Sequence, residues 1–243
     1  MAKKVLTLLV LALVIGAGAF AQDEKPQKAF SISAGIGGFT GGDFGGGAEG
    51  TGTFQSQTFK LIFEAPYFGG GAYAFIDATY AELTLGIYGG KGKVKQTYES
   101  PAGSPPADEY DISYMNFNIG LLGKYPFMLN KKLSLFPLLG IEYDICLSAK
   151  DEDGEYEGLD GDGKPADFSA LWFKLGGGLD FSFTEKVYLR FEALYGLRLA
   201  SKAENDMKDF IDDSLSNIPG ISTDTKTLLG HGLTAKIAVG FKF

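Results

Sequence analysis

Residues 229–243 read LGHGLTAKIAVGFKF. Leu229, Leu233, Ala235, Ile237, Val239, Phe241 and Phe243 fall on one parity, against Thr234, Lys236, Ala238, Gly240 and Lys242 on the other. In a β-strand alternate side chains point to opposite faces, so this segment offers one dry surface and one small or polar surface along its length. Its 15 residues are long for a soluble strand, which usually has about five or six. A long strand with one continuous apolar face suits the wall of a barrel in lipid.

The other end of the chain carries an export signal. Lys3 and Lys4 precede an apolar run from Val5 to about Val14 and an Ala19-Phe20-Ala21 cleavage site, the layout of a secretory signal peptide. We therefore expect residues 1–21 to be removed, 22–27 to form a short N-terminal segment and 28–243 to form one domain. The apolar run is shorter than the roughly 20 residues of a membrane-spanning helix, and no later stretch resembles one. No cysteine sits at the cleavage site, which argues against a lipoprotein. Losing Lys3 and Lys4 takes the net charge from −8 to −10, which disfavours nucleic acid as a partner. The single cysteine, Cys146, has no internal disulfide partner. With 35 glycines, 20 Phe and 12 Tyr against one Trp, the composition is that of a glycine-rich all-β domain.

The alternation places eight strands near 28–38, 53–65, 72–90, 111–125, 132–149, 168–183, 187–200 and 229–243. In the sixth, Leu171, Phe173, Leu175, Leu179, Phe181 and Phe183 oppose Trp172, Lys174, Asp180 and Ser182. In the seventh, Val187, Leu189, Phe191, Ala193, Tyr195, Leu197 and Leu199 oppose Tyr188, Arg190, Glu192 and Arg198. Neither apolar face carries a charge. Connections after strands two, four and six are short (66–71, 126–131 and 184–186), and the others are long and polar. Short turns alternating with long loops are expected of a membrane barrel whose turns face the periplasm. A lipocalin-like barrel would instead turn the apolar face inward. That orientation would crowd about seven large side chains per strand into an interior only just wide enough for side chains. Pro137 cannot donate a ladder hydrogen bond, so a bulge or a late strand start is expected there. In the third strand Ala74, Ile76 and Tyr80 share one parity and Leu83, Leu85 and Ile87 the other, which suggests a bulge near Ala81.

On these features the chain resembles the small eight-stranded bacterial outer-membrane β-barrels of the OmpA-transmembrane, OmpX and OmpW type. Ile237, Val239, Phe241 and Phe243 match their carboxy-terminal assembly signal. The resemblance implies an all-β, antiparallel, up-and-down barrel in the outer membrane of a diderm bacterium. It also implies outer-membrane lipid, the barrel-assembly machinery and periplasmic chaperones as partners. Members of the class range from structural proteins and adhesins to narrow pores and a few lipid-modifying enzymes.

The inward charges are the most readable candidate site. If 184–186 is a tight turn, antiparallel register sets Asp180 opposite Arg190 and Gly178 opposite Glu192, and an unpaired charge there would be costly. Lys174, Lys236, Glu142, Asp144 and Arg198 could extend the network, either as a salt-bridge plug that fixes register or as a gated ion path. His231, the only histidine, sits between Gly230 and Gly232. It lacks the His-x-Ser pattern of lipid A deacylases, although Ser201, Ser214 and Ser216 lie in the neighbouring loop. An interfacial histidine and no catalytic residue is the expectation. The acidic stretch Asp151, Glu152, Asp153, Glu155, Glu157, Asp160, Asp162 and Asp167 misses the calcium-loop pattern at its sixth position and reads as a solvated loop, the alternative being weak calcium binding or divalent bridging to lipopolysaccharide-like lipids. No metal or cofactor is expected. Ser201 and Glu204 have capping-box spacing, and Met207, Phe210, Ile211, Leu215 and Ile218 recur at helical steps before Pro219-Gly220. This short amphipathic helix could occlude the barrel mouth, pack on its rim or face a partner. The long loops could display an external ligand site. The stretch from Pro101 to Pro106 is one such tip. Two roles follow: a non-enzymatic surface or envelope-integrity protein, or an OmpW-like narrow channel for small hydrophobic molecules, motivated by Leu122, Phe136, Leu138 and Leu194 on the inward parity.

Overall fold

The structure is a computed structural model that describes residues 31–151, 154, 165–218 and 220–243. The signal-peptide assignment, most of the acidic stretch and Pro219 lie outside them. Among the described residues ten strands follow in chain order: β1 (Ile32–Phe54), β2 (Gln57–Glu64), β3 (Tyr67–Ala78), β4 (Ala81–Glu99), β5 (Asp108–Lys124), β6 (Phe127–Met128), β7 (Leu133–Lys150), β8 (Ala170–Ser182), β9 (Val187–Ser201) and β10 (Ser222–Lys242). A 3-10 turn spans Pro165–Phe168 and a helix, α1, spans Lys202–Ser216.

The strands close a ring. Strands β2 and β3 both pair with β1 on one side and β4 on the other, so they form one stave interrupted at residues 65–66. The ring runs through this stave, β4, β5, β7, β8 and β9 to β10, which pairs back onto β1 from Ser33↔Lys242 to Thr53↔Ser222. That makes eight antiparallel staves, with β6 a short addition to β7. Among the described residues, closure at the level shared by all eight staves leaves no free edge there, which is what a sheet in lipid requires.

One face of the wall is dry. Between Ile36 and Phe44 on β1, Phe68 and Ile76 on β3, Leu83 and Gly89 on β4, and Leu229 and Phe241 on β10, no outward position carries a charge. The same holds for the outward positions of β5, β7, β8 and β9 at that level. Exposed there are Ile36, Leu121, Ile141, Leu233, Ile237, Val239 and Phe241. Apolar area of this kind, uniform around a closed ring, matches the outward apolar band of a membrane barrel. At the end nearer the C terminus the band finishes in aromatic rings: Tyr80 on Tyr125, Tyr125 on Phe127 and Phe181 on Phe183. Phe243 is 84% exposed and donates its backbone N–H to the Ile32 carbonyl.

The first three staves divide differently from the sequence expectation. The stretch 39–52, expected to be a loop, is strand, and β1 turns at Gln55–Ser56, both with positive φ (48° and 67°). The expected strand 53–65 therefore straddles a hairpin. The expected short turn at 66–71 is only a break at 65–66 before β3. The parity change near Ala81 marks a turn at residues 79–80, with Thr79 at φ 36°, and not a bulge. The glycines on the inward parity of β1 explain the misreading: a Cβ on Gly35 would lie 2.5 Å from the Phe75 ring. Gly35 is bare because the Phe75 ring of the next stave fills its space, and Gly37 because the β10 backbone at Ile237–Ala238 would lie as close as 2.0 Å to a Cβ there. Pro137 stays in unbroken register opposite Gly177, with no bulge, and lies just past Leu138, the last β7 partner of β5. Bulges occur instead where register shifts between Met115 and Asn116 and between Leu171 and Trp172. Strand β10 begins at Ser222, seven residues before the stretch quoted first.

Past the dry band, β1, β2, β4, β5 and β10 continue as a projection at the end opposite the C terminus. Its inner face, with Ala48, Leu61, Phe63, Val94 and Ile112, packs against Met207, Ile211 and Leu215 of α1. Those three helix positions recur every four residues, and burying each contributes about 1.5–3 kcal/mol.

Candidate functional site: the charged lumen

The lumen holds three layers of charge. The layer nearest the C terminus centres on Arg190, which is fully buried. The β8–β9 hairpin sets Asp180 opposite Arg190, and the guanidinium grips that carboxylate through Nε and Nη2, both at 2.8 Å. Such two-point pairing is the strong geometry for arginine. Its remaining donors reach Glu82 Oε2 and Asp77 Oδ2, each at 2.5 Å. Lys124 donates to Asp77 and lies 3.8 Å from Asp180. Glu192 sits 3.8 Å from Arg190 Nε. The Arg190 guanidinium lies 4.4 Å from the Phe75 ring centre, and the Lys124 ammonium 4.2 Å from that of Phe136. Aromatic faces thus cover the cations where carboxylates do not.

In the middle layer, Lys174 contacts Glu142 at 3.0 Å and Lys236 contacts the same carboxylate at 3.6 Å. Lys236 is in register with Glu192 on β9 but extends its amino group to β7 instead. Asp144 is buried and has no ion-pair partner among the described residues. In the third layer, Arg198 pairs with Asp43 and, at 2.5 Å, with Glu204 of α1. Glu204 also accepts the Gly47 N–H at 3.2 Å. Gly46, at φ 80°, lets the chain pass close to this contact, since a Cβ there would sit 2.7 Å from both Arg198 Nη1 and Glu204 Oε1. Burial pushes the Glu204 carboxyl above its usual range, against the opposing pull of Arg198. Trp172 lies between the second and third layers, 4.9 Å from both the Lys174 and the Arg198 charge.

Of the residues singled out from sequence, Asp180, Arg190 and Glu192 share the first layer and Lys174, Lys236 and Glu142 the second. Asp144 stands near the second without a salt bridge, and Arg198 belongs to a separate third group. Asp43, Asp77, Glu82, Lys124 and Glu204 escaped the sequence reading. Lys124 was within reach, since it continues the inward parity of Asn116, Asn118 and Leu122. Asp77 and Glu82 were hidden by the unrecognised turn between them, and Asp43 by the glycine-rich stretch around it. Glu204 does not form the expected capping box: Ser201 makes no side-chain cap, and Glu204 turns to Arg198 and Gly47. An ion pair in a buried site outweighs the weaker neutral cap.

His231 faces outward, stacked on Tyr195 at 6.4 Å and in register with Phe44. It is on the dry face, whereas Ser201 is buried beside the lumen. Asp167 pairs with Lys202 at 2.8 Å, and Asp151 accepts the Gly154 N–H. Among the described residues no group of three His, Cys, Asp or Glu is placed to hold a metal ion.

A closed ring of eight staves, an uncharged outer band and a salt-bridged interior define an outer-membrane β-barrel. The chain belongs to the outer membrane protein beta-barrel domain family, which matches residues 7–216. Its location is the outer membrane of Gram-negative bacteria. Among solved structures it is similar to the outer membrane protein OprG from Pseudomonas aeruginosa, with 11% identity over 91% of this chain and 99% of that one and a TM-score of 0.40. It is also similar to Neisserial surface protein A, with 13% identity over 88% and 97% and a TM-score of 0.35. The outer membrane protease OmpT from Escherichia coli matches with 10% identity over 90% and 99% and a TM-score of 0.33. Among curated protein sequences, none matches.

Proposed function

We propose that this protein is a non-enzymatic surface component of the outer membrane, acting through its projecting strands and α1 and serving adhesion or envelope integrity. The observation that carries this reading is the closure of the lumen. Arg190 joins staves on opposite walls, Lys124 and Lys236 cross-link others, and α1 covers the far mouth through Met207, Ile211 and Leu215. Its expected partners are outer-membrane lipid along the dry band, and periplasmic chaperones and the barrel-assembly machinery, which would read Ile237, Val239, Phe241 and Phe243. An external ligand would meet the projection. The test is conductance of the purified protein in planar bilayers. No discrete steps are expected, and stable single-channel steps would overturn the reading.

A second reading, a narrow passage for small hydrophobic molecules, draws on one observation. Leu122, Phe136, Leu138 and Leu194 form an apolar cluster inside the wall. Uptake of a small apolar solute into vesicles containing the protein, absent from empty vesicles, would favour it.

A further inference from the structure

Two cavities lie one below the other under α1, of about 60 and 30 Å³. They share Asp43, Tyr67, Tyr88, Asp144 and Trp172 as walls. A water needs about 10–15 Å³ measured this way, so the larger holds several waters or a molecule of a few heavy atoms. We propose that this chamber binds one small monovalent cation with N–H donors, of the ammonium or primary alkylammonium class.

Three independent observations point there. The first is unmet hydrogen bonding. Asp43 and Asn118 are only 2% and 4% exposed, and Oδ1 of each lacks a hydrogen-bond partner. Both are acceptors in a cavity wall, and buried acceptors are nearly always satisfied in folded proteins. The second is charge. Four carboxylates, Asp43, Glu142, Asp144 and Glu204, share this part of the lumen with three cations, Lys174, Arg198 and Lys236. Asp144 is the carboxylate left without an ion pair among the described residues, and it borders both cavities. The third is the wall itself: Tyr67 and Tyr88 stack at 6.1 Å with rings 18° apart, and aromatic faces attract cations. Unpaired acceptors favour a donor-bearing cation over a bare alkali ion or a quaternary ammonium, neither of which has an N–H to give. Ala203, Glu204 and Met207 of α1 help line the upper cavity.

The proposal does not depend on the closed-lumen reading, which bilayer conductance tests separately. The experiment is thermal unfolding of the whole detergent-folded protein in methylammonium chloride, sodium chloride or tetramethylammonium chloride at one ionic strength. A ligand that binds only the folded state raises the melting temperature with its concentration. We expect a saturable rise in methylammonium alone. In Asp144→Asn the methylammonium concentration giving half the effect should increase at least tenfold. In Ala203→Leu, which fills the chamber without altering charge and serves if Asp144→Asn does not fold, the response should vanish. Equal melting in all three salts, or an undiminished response in a folded variant, would overturn the proposal.

Discussion

Arg190 on β9 and Glu82 on β4 stand on opposite walls of the eight-stave ring, and a 2.5 Å hydrogen bond joins them across the lumen. The residues are 108 apart in sequence, so this contact sets how two distant hairpins close on each other. With Asp180 and Asp77 on the same guanidinium, the arginine counters three carboxylates at once.

Removing that cation should be far worse than removing one of its anions. Arg190→Met leaves buried charges uncompensated and is expected to cost about 3–5 kcal/mol. Asp180→Asn keeps Asp77 and Glu82 on Arg190 and should cost about 1–3 kcal/mol. Urea unfolding of the detergent-folded barrel measures both. Equal costs would contradict the central place of Arg190.

The dry band yields a depth-dependent expectation. Leu85→Arg, in the band on β4, should destabilise the barrel in lipid by about 2–4 kcal/mol, and His231→Arg, at its far margin, by about 0–1 kcal/mol. Unfolding titrations in phospholipid vesicles compare them. Reversal of the order would mean the band is misplaced.

The seat of α1 is close-fitting at Gly50, where a Cβ would lie 2.1 Å from Ile211 Cγ2. Gly50→Val should lift the helix while the membrane staves stay folded. Limited proteolysis would then cut within 202–221 at least tenfold faster than in the parent, with the remaining barrel resistant.

Acid should tighten the same seat. Burial raises the Glu204 carboxyl above its ordinary value of 4.5 in the folded state. The docked helix therefore binds a proton more readily than the undocked one. Docking strengthens as pH falls through the folded-state value and weakens as pH rises from 4.5 through it. Hydrogen exchange of α1 at pH 5 and 7 should show greater protection at pH 5 after correction for the intrinsic rate, and Glu204→Gln should abolish the difference.

Sequence pattern was most informative where strand length, turn and parity agreed. In the β8–β9 hairpin the tight turn at 183–186 and two uncharged apolar faces set the register, so the Asp180–Arg190 pairing could be counted out. Strand β1 lacked those cues. Its inward glycines, Gly35 giving way to the Phe75 ring and Gly37 to the β10 backbone, remove the period-two signal. Its hairpin uses Gln55 and Ser56 in the left-handed region, where glycine or asparagine would have announced a turn. The eight-fold count nevertheless came out the same, because each misplaced boundary merged the end of one stave with the start of the next. Glu204 looked like a cap because spacing along a helix carries no information about an arginine on a neighbouring strand.

The account rests on Trp172 and Phe173 pointing to opposite sides of the wall. Trp172 is the one tryptophan in the chain, buried in the lumen. Its fluorescence in vesicles of brominated phospholipid should be nearly unquenched. In the Trp172→Phe, Phe173→Trp variant the emission should be strongly quenched by the brominated chains and unaffected by aqueous acrylamide. Quenching of the residue at 173 by acrylamide but not by brominated lipid would contradict the orientation of the whole barrel.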